Sequence, residues 1–272
     1  MKKLIRILLV TLALTVCVTT AELGWRVYNL ENRASYSEFR AEVAERAIIA
    51  MSGVITSPTQ MIQDVMPSAV AIEIYTGDIL LDSSTMQVQP QVVRGSGVVT
   101  DEEGTILTAG HVGTALKASE KATGMVTFSD GRQYVIQKVV IDPNIDVALL
   151  RVDLDPNESL QSVRVASIPP TVGDRVWAIG SPFGYSFTVT SGIVSAYRDP
   201  NGLGQGSSIQ VDVSLNPGNS GGPVFDQYGN LIGIAEGIVP GPVDCGVNFV
   251  ISSSQITDIY LRLYTELTSE RK

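Results

Sequence analysis

From about residue 60 onwards, the chain is divided into short apolar stretches that are separated by turn-forming residues. The stretches are rich in β-branched residues, which is typical of strands. The breaks between them, such as Asp142-Pro143-Asn144 and Tyr228-Gly229-Asn230, carry residues that reverse the chain in tight turns. Short, closely spaced strands favour an all-β fold of antiparallel barrels or sandwiches. The predicted strands cover residues 69–75, a hairpin at 97–108, and residues 133–141, 147–152, 175–179, 187–196, 209–213, 223–225, 231–234 and 248–251.

Two further segments are predicted before this β region. Residues 1–21 have a basic head followed by a charge-free, mostly apolar run, which indicates a signal peptide or an uncleaved membrane anchor. The apolar run is short for a membrane span but long enough for a signal core. Residues 22–59 are predicted to form a helical stalk or linker, because apolar residues recur at steps of three and four between positions 36 and 47. We expect this helix to be either an oligomer contact or a solvated linker.

The β region itself, residues 60–272, is long enough for one two-barrel domain or for two small domains. We expect a first half at about 60–155 and a second half at about 165–255, joined by the stretch between them. A C-terminal helix is predicted over residues 254–268, with Ser254 as its cap. Its apolar face is expected to dock onto the second half and consists of Ile256, Ile259, Tyr260, Leu263 and Leu267.

The net charge and the rarity of histidine and cysteine exclude several kinds of site. The formal net charge is -9, and an acidic protein repels phosphate backbones, so we expect no nucleic-acid partner. His111 is the only histidine, and the two cysteines, Cys17 and Cys245, form no ligand cluster with it in the sequence. We therefore expect no metal and no cofactor. Cys245 is expected to be a small buried apolar residue rather than a reactive thiol.

The segment from Asn216 to Pro223 has the composition of a loop that exposes a reactive serine. Three glycines surround Ser220, and glycine allows backbone angles and close approaches that other residues exclude. Such a loop can direct the N–H groups of Gly218 and Ser220 towards one point, which is the arrangement of an oxyanion hole. An ordinary glycine-rich turn with an incidental serine is the alternative.

A serine nucleophile needs a base, and the base needs a carboxylate that orients it. His111 is the sole candidate base and follows a predicted strand. Asp146 precedes an apolar strand, where an ionised carboxylate is costly unless it accepts hydrogen bonds such as that of an imidazole N–H. Taken singly, His111 has the ordinary explanation of a packed or surface histidine, and Asp146 is equally well explained as a turn aspartate. In combination, the order His111, Asp146, Ser220 is that of the chymotrypsin catalytic triad.

Together with the segments around them, these residues resemble the HtrA/Deg branch of the trypsin-like serine proteases. The resemblance runs from about residue 65 to residue 251. It implies two antiparallel six-stranded β-barrels with the active site in the cleft between them. The first barrel would then supply His111 and Asp146, and the second would supply Ser220. The motifs that carry it are Gly95-Ser96-Gly97-Val98-Val99, Ile145-Asp146-Val147-Ala148-Leu149, Ala178-Ile179-Gly180-Ser181-Pro182-Phe183-Gly184, Val189-Thr190-Ser191-Gly192-Ile193-Val194-Ser195 and the stretch 216–223.

The resemblance also implies an activity, partners and a location. It implies a serine endopeptidase that hydrolyses misfolded or exported proteins and takes unfolded or extended polypeptides as substrates. The N-terminal segment would make homotrimers, and the protein would be exported, either periplasmic or membrane-anchored with its protease domain outside the cytoplasm. Two other functions stay open: a catalytically silent protease fold that holds peptides as a chaperone or scaffold, and a protease that is silent until it assembles.

The sequence departs from the family pattern at three points. The family usually carries a PDZ domain after the protease, and this chain ends too soon for one, which puts regulation through such a domain in doubt. The histidine motif reads Ala109-Gly110-His111, where Asn-Asn-His or Ala-Ala-His is more familiar. Asn219 stands where digestive relatives have an aspartate that pairs with a new N-terminus. The HtrA branch shares this asparagine, which implies control by oligomerisation or by loop ordering.

The residues that bind substrate are also predicted from the resemblance. Ser214, six residues before Ser220, would form the base of the primary pocket. A serine there carries no charge, so we expect a small or medium apolar residue before the cut rather than Arg or Lys. The direction of the nearby Asp212 is left open. The remaining predicted residues are Val247, in the pocket wall, and Glu236, Gly237 and Ile238, which would pair with an extended peptide.

Overall fold

The computed structural model describes residues 57–82, 87–199, 208–238 and 246–269. The predicted leader, the predicted stalk up to residue 56, and Cys245 lie outside these ranges. The described residues form two closed antiparallel barrels of six strands each, followed by a C-terminal helix. The predicted all-β architecture of two six-stranded barrels is therefore confirmed. Among the described residues, no helix is long and apolar enough to cross a membrane.

The first barrel follows a short helix, α1 (Pro58–Val65), and a turn of 3-10 helix at Met66–Ser68. Its strand order is β1-β2-β3-β6-β5-β4, and β4 pairs back onto β1 to close the barrel. A second helix, α2 (Gly110–Lys117), directly follows β3. The strands are β1 (Ala69–Asp82), β2 (Gln87–Val99), β3 (Thr105–Ala109), β4 (Thr123–Phe128), β5 (Gln133–Ile141) and β6 (Val147–Val152).

The second barrel has the strand order β10-β11-β12-β9-β8-β7 and closes through the pairing of β7 with β10. Residues 153–174 lead into it from the first barrel, and Val165 forms an isolated bridge with Leu231. The strands are β7 (Arg175–Gly180), β8 (Thr188–Arg198), β9 (Ser208–Val211), β10 (Pro223–Asp226), β11 (Leu231–Ile238) and β12 (Asn248–Ser252).

Each barrel encloses a core of its own, because inward-facing residues alternate with outward-facing ones along the strands. Ile72, Ile106 and Phe128 belong to the core of the first barrel, and Val194 and Ile232 belong to that of the second. A third apolar cluster joins the two barrels and the C-terminal helix. The two barrels are thus packed through a shared apolar layer, which supports a cleft between them.

The C-terminal helix, α3 (Ser253–Thr268), packs against both barrels. Leu263 and Leu267 are buried in the third cluster with strand residues from each barrel, so the helix docks onto the second barrel as predicted and onto the first barrel as well. The helix is capped by Ser252, whose hydroxyl accepts the N–H of Gln255 at 3.3 Å. Ser254 is therefore not the cap, because its hydroxyl lies inside the helix and contacts that of Ser252.

Several elements went unpredicted because their local signals are weak. Strand β4 is short and includes Gly124 and two threonines among its apolar residues. Helix α2 carries two glycines, which are poor helix formers. Strand β2 begins ten residues before its predicted start at residue 97, in a stretch of glutamines with one proline. Tertiary pairing with β1, rather than propensity, extends this strand.

Candidate active site

His111 lies where the first barrel turns from strand to helix. All five residues of β3 are buried, and the chain passes from Ala109 directly into α2, where His111 is the second residue. Gly110 leaves little room for a side chain at this turn, since a Cβ there would lie 2.9 Å from Oδ1 of Asp146 and 3.0 Å from the backbone nitrogen of Val147. The small residue before the histidine therefore lets the aspartate approach the backbone of the first helical turn.

Asp146 is held in place by the turn between β5 and β6. Oδ1 of Asp142 accepts the N–H groups of Asn144 and Ile145, both at 2.8 Å, and this fixes the chain just before Asp146. Asp146 then contacts His111 with both oxygens. Oδ1 accepts the backbone N–H of His111 at 2.7 Å, and Oδ2 lies 2.7 Å from the ring nitrogen Nδ1. The two residues that the sequence placed 35 positions apart are thus joined.

This contact shifts the pKa of both side chains. The hydrogen bond with Asp146 raises the pKa of His111 above the ordinary value of 6.5; burial opposes the rise, and the charges of Asp146 and Glu236 add to it. Burial by itself would raise the pKa of Asp146, but the hydrogen bond and charge of His111 and the backbone N–H groups outweigh it, so that pKa is lowered. An ionised carboxylate only accepts hydrogen bonds, so Nδ1 carries the hydrogen and Nε2 is left as the proton acceptor.

The loop that carries Ser220 belongs to the second barrel and is fastened to the first barrel by Ser96 of β2. The Ser96 N–H donates to the carbonyl oxygen of Ser220 at 2.9 Å. The Ser96 hydroxyl donates to the carbonyl oxygen of Gly218 at 2.7 Å and accepts the N–H of Ser181 at 2.9 Å. Sequence reasoning included Ser96 in a motif but gave it no role. The structure shows that it joins three segments beside the candidate nucleophile.

Two glycines of this loop occupy positions that no other residue fits. Gly218 has a φ of 104°, and a Cβ on it would lie 2.3 Å from the carbonyl oxygen of Ser181. Gly221 has a φ of 81°, and a Cβ on it would lie 2.2 Å from the hydroxyl of Thr108. Both positive φ and close approach require glycine, which explains the composition that marked this segment in the sequence.

The backbone directions in the loop follow from its carbonyl contacts. The carbonyl of Pro217 accepts the N–H of Phe183, and that of Asn219 accepts the N–H of Gly222. In a trans peptide the N–H points opposite to the C=O, so the N–H groups of Gly218 and Ser220 point away from these partners. Within the part of the chain that the structure describes, neither N–H has a hydrogen-bond partner. Both remain available to an incoming oxygen.

A cleft of about 320 Å³ brings His111 and Ser220 together from the two barrels. Asp146 lies on the other side of the His111 ring, beside a second cavity of about 300 Å³. The described residues that line the first cleft are His111, Leu215, Asn216, Pro217, Asn219, Ser220, Ala235 and Glu236. Among the described residues, no cluster of acidic, histidine or cysteine side chains is arranged to hold a metal ion.

The predicted substrate-binding residues lie around this cleft in different ways. Glu236 lines it, whereas Ser214 is exposed next to it and its carbonyl accepts the Thr190 hydroxyl at 3.1 Å. Asp212, whose direction the sequence left open, turns to β8, where Oδ1 accepts the N–H of Ile193 at 2.6 Å. Val247 is half-buried and directly precedes β12.

Gly237 and Ile238 extend β11 beyond the cleft. They pair with Phe249 and Asn248 of β12, whereas β10 reaches only to Ile234 on the other edge of β11. Among the described residues, the edge of β11 beyond Ala235 therefore has no strand neighbour on that side. An edge of this kind offers backbone groups that an extended peptide can pair with.

The family model of the trypsin-like peptidase domain matches residues 95–234, which include His111, Asp146 and Ser220. The chain belongs to the trypsin-like peptidases. Comparison with one plant relative and one bacterial relative places this trypsin-like peptidase in the HtrA/Deg branch, as the motifs predicted. It is 33% identical over 225 residues to Protease Do-like 5, chloroplastic, of Arabidopsis thaliana, covering 75% of this chain and 69% of that protein. It is 36% identical over 182 residues to a probable periplasmic serine endoprotease DegP-like of Brucella suis, covering 66% of this chain and 34% of that protein.

A solved structure agrees with this assignment. The HtrA-type protease AlgW with a decapeptide has a TM-score of 0.64 and 28% identity to this trypsin-like peptidase, covering 77% of this chain and 67% of that one. The chain spans about a third of the length of the DegP-like relatives, at 34%.

Proposed function

We propose that this trypsin-like peptidase is a serine endopeptidase that hydrolyses peptide bonds of misfolded or exported proteins. The observation that carries the proposal is the pair of hydrogen bonds between Asp146 and His111, at the edge of a cleft that Ser220 also lines. A histidine held through Nδ1 and the backbone presents Nε2 as a base, which is the requirement for activating a serine hydroxyl. The peptide-bound HtrA-type neighbour supports a polypeptide substrate.

In this mechanism, Nε2 of His111 takes the proton of Ser220 while Oγ bonds to the carbonyl carbon of the substrate. The N–H groups of Gly218 and Ser220 donate to the oxyanion of the tetrahedral intermediate. His111 then gives its proton to the leaving amine as the C–N bond breaks, and an acyl group remains on Ser220. Water attacks that ester with the same base, which releases the acid and restores the serine. Asp146 stays ionised throughout and stabilises the imidazolium.

Substrate binding is proposed to use the free edge of β11. An extended peptide would pair with the backbone of Glu236, Gly237 and Ile238, while the residue before the cut enters the pocket bordered by Ser214 and Val247. Leu215 lines the cleft and Ser214 has no charge, which supports a small or medium apolar residue before the cut.

The test is covalent labelling with a fluorophosphonate, which reacts with activated serines. We expect the protein to be labelled and to cleave an unfolded test protein, and we expect Ser220→Ala to lose labelling and about 10³-fold or more in turnover. Ser167→Ala, at an exposed serine, is the matched control. A protein that binds peptides but is never labelled would instead be a silent binder or scaffold.

The pH dependence of labelling tests the role of His111. The base works only when neutral, and its folded pKa is raised, so the labelling rate should rise with pH with a midpoint above 6.5. Asp146→Asn removes the main cause of the raised pKa, so the midpoint should fall and the rate should drop. A rate that does not change across this range of pH would contradict the assignment of His111.

The location and assembly are proposed from the sequence and the relatives. Periplasmic and chloroplast relatives both occur. With the basic head and apolar run at residues 1–21, we propose export, with that segment acting as a signal peptide or membrane anchor. Residues 22–59 are proposed to make homotrimers, as the family resemblance implies.

A further inference from the structure

Glu236 is the extra residue in a bulge of β11. Ala235 pairs with Val250 and Gly237 pairs with Phe249, so no residue of β12 lies opposite Glu236. Bulges of this kind redirect a side chain relative to the regular alternation of a strand, and they occur often beside active sites. Because of the bulge, Glu236 falls outside the regular pairing of β11 with β12.

The position of this bulge is set by the serine loop. The carbonyl of Ala235 accepts the N–H of Gly221, and the N–H of Ala235 donates to the carbonyl of Gly222, both at 2.8 Å. Glu236 follows directly after Ala235, which is hydrogen-bonded to the two glycines that follow Ser220. The backbone of Glu236 is consequently held close to the serine loop.

Among the described residues that line the cleft with Glu236, there is no lysine or arginine. Glu236 is half-buried, and among the described residues that line the cleft it is the only acidic one. Burial, and then the negative charge of Asp146, raise its pKa, while a hydrogen bond with Ser208 and the charge of His111 lower it. A half-buried carboxylate in such surroundings gains more from an added cation than an exposed one does.

We propose that Glu236 forms a cation-selective subsite beside His111, which takes the Lys or Arg side chain of a substrate residue upstream of the one before the cut. The inference rests on the proposed function and extends it. The residue before the cut enters the uncharged pocket, and the residues before that one follow the free edge of β11, where Glu236 lines the cleft. The preferred substrates are then extended segments with an apolar residue at the cut and a basic residue two or three positions earlier.

A direct effect of Glu236 on the base is a different role with a different outcome. Nδ1 of His111 is already held by Asp146. Any remaining influence of Glu236 on His111 acts through its electric field, and that field changes the reactivity towards every substrate by a similar factor. Selectivity between substrates of opposite charge therefore separates a subsite from an effect on the histidine.

The experiment uses matched fluorescent peptides that differ only in a Lys, Gln or Glu at the second or third position before the cut. Their affinities are measured with the Ser220→Ala protein by fluorescence anisotropy, which needs no turnover. At low salt we expect the Lys peptide to bind about tenfold more tightly than the Glu peptide at one of the two positions, with a smaller ratio at high salt. Adding Glu236→Gln should bring the ratio near one, and Glu236→Lys should invert it.

Glu102→Gln is the matched control, because it removes one negative charge from an exposed turn at the far end of β3 from His111. It should leave the ratio unchanged. Equal affinities for the Lys and Glu peptides at both positions, or a ratio that survives in a folded Glu236→Gln protein, would overturn the subsite. If the protein that keeps Ser220 were neither labelled nor able to cleave, that result would count against the proposed function. The ratio of Lys-peptide to Glu-peptide affinity would still test the subsite, because it is measured with the Ser220→Ala protein and needs no turnover.

Discussion

The Ser96 hydroxyl makes two hydrogen bonds between segments that are far apart in the sequence, and its removal tests how the serine loop is held. Ser96 is fully buried, donates to the carbonyl of Gly218 and accepts the N–H of Ser181. Ser96→Ala removes the hydroxyl alone. The Ser96 N–H bonded to Ser220, and the Ser96 carbonyl bonded to Thr108, are backbone groups and remain.

The expected loss of stability follows from the two groups left without a partner. An unsatisfied buried N–H or C=O costs about 1–3 kcal/mol, so we expect Ser96→Ala, which leaves two such groups, to lower the free energy of unfolding by about 2–6 kcal/mol. For a domain of this size, that corresponds to a fall of roughly 4–24 °C in the melting temperature. Circular dichroism during heating measures this fall, with Ser167→Ala as an exposed serine control.

The same substitution should reduce catalysis more than binding. Release of the Gly218 carbonyl lets the peptide units on either side of Gly218 turn, and one of them carries an N–H proposed to stabilise the oxyanion. Complete loss of one such donor costs about 10²–10³ in kcat, and we expect a tenfold or larger fall in kcat with KM little changed. A melting temperature within about 1 °C of the parent, or a destabilised protein with full kcat, would refute this reasoning.

The remaining predictions concern the C-terminal helix and assembly. Arg262 of α3 pairs with the buried carboxylate of Asp142, which also holds the turn before Asp146. Because the arginine is half-exposed, Arg262→Met should cost only about 1–2 kcal/mol of stability by urea unfolding. The same substitution should lower kcat/KM, and Arg262→Lys should restore part of the stability and part of the activity. An unchanged kcat/KM in Arg262→Met would show that the helix does not influence the site. By light scattering, protein with residues 22–272 should be trimeric and residues 57–272 monomeric; two monomers would contradict an assembly role for the stalk.

Local patterns in the sequence determined most of the strands. Strands predicted at 133–141 and 147–152 coincide with β5 and β6, because alternation and turn residues are properties of neighbouring positions. The candidate triad was predicted from the linear order of three short motifs, each of which has another explanation when it is taken singly. Gly218 and Gly221 were recognised as a group, although the reason that each must be glycine appears only in its contacts.

Tertiary structure alone decided how distant parts meet at the site. Ser96 and Gly218 are 122 residues apart, and Arg262 and Asp142 are 120 apart, so no local propensity reports on either contact. Barrel closure brings them together, since strand register and a packed apolar layer set the distance between segments. The bulge at Glu236 likewise depends on its pairing with β12, because a side chain that leaves the alternation of a strand gives no signal in the sequence.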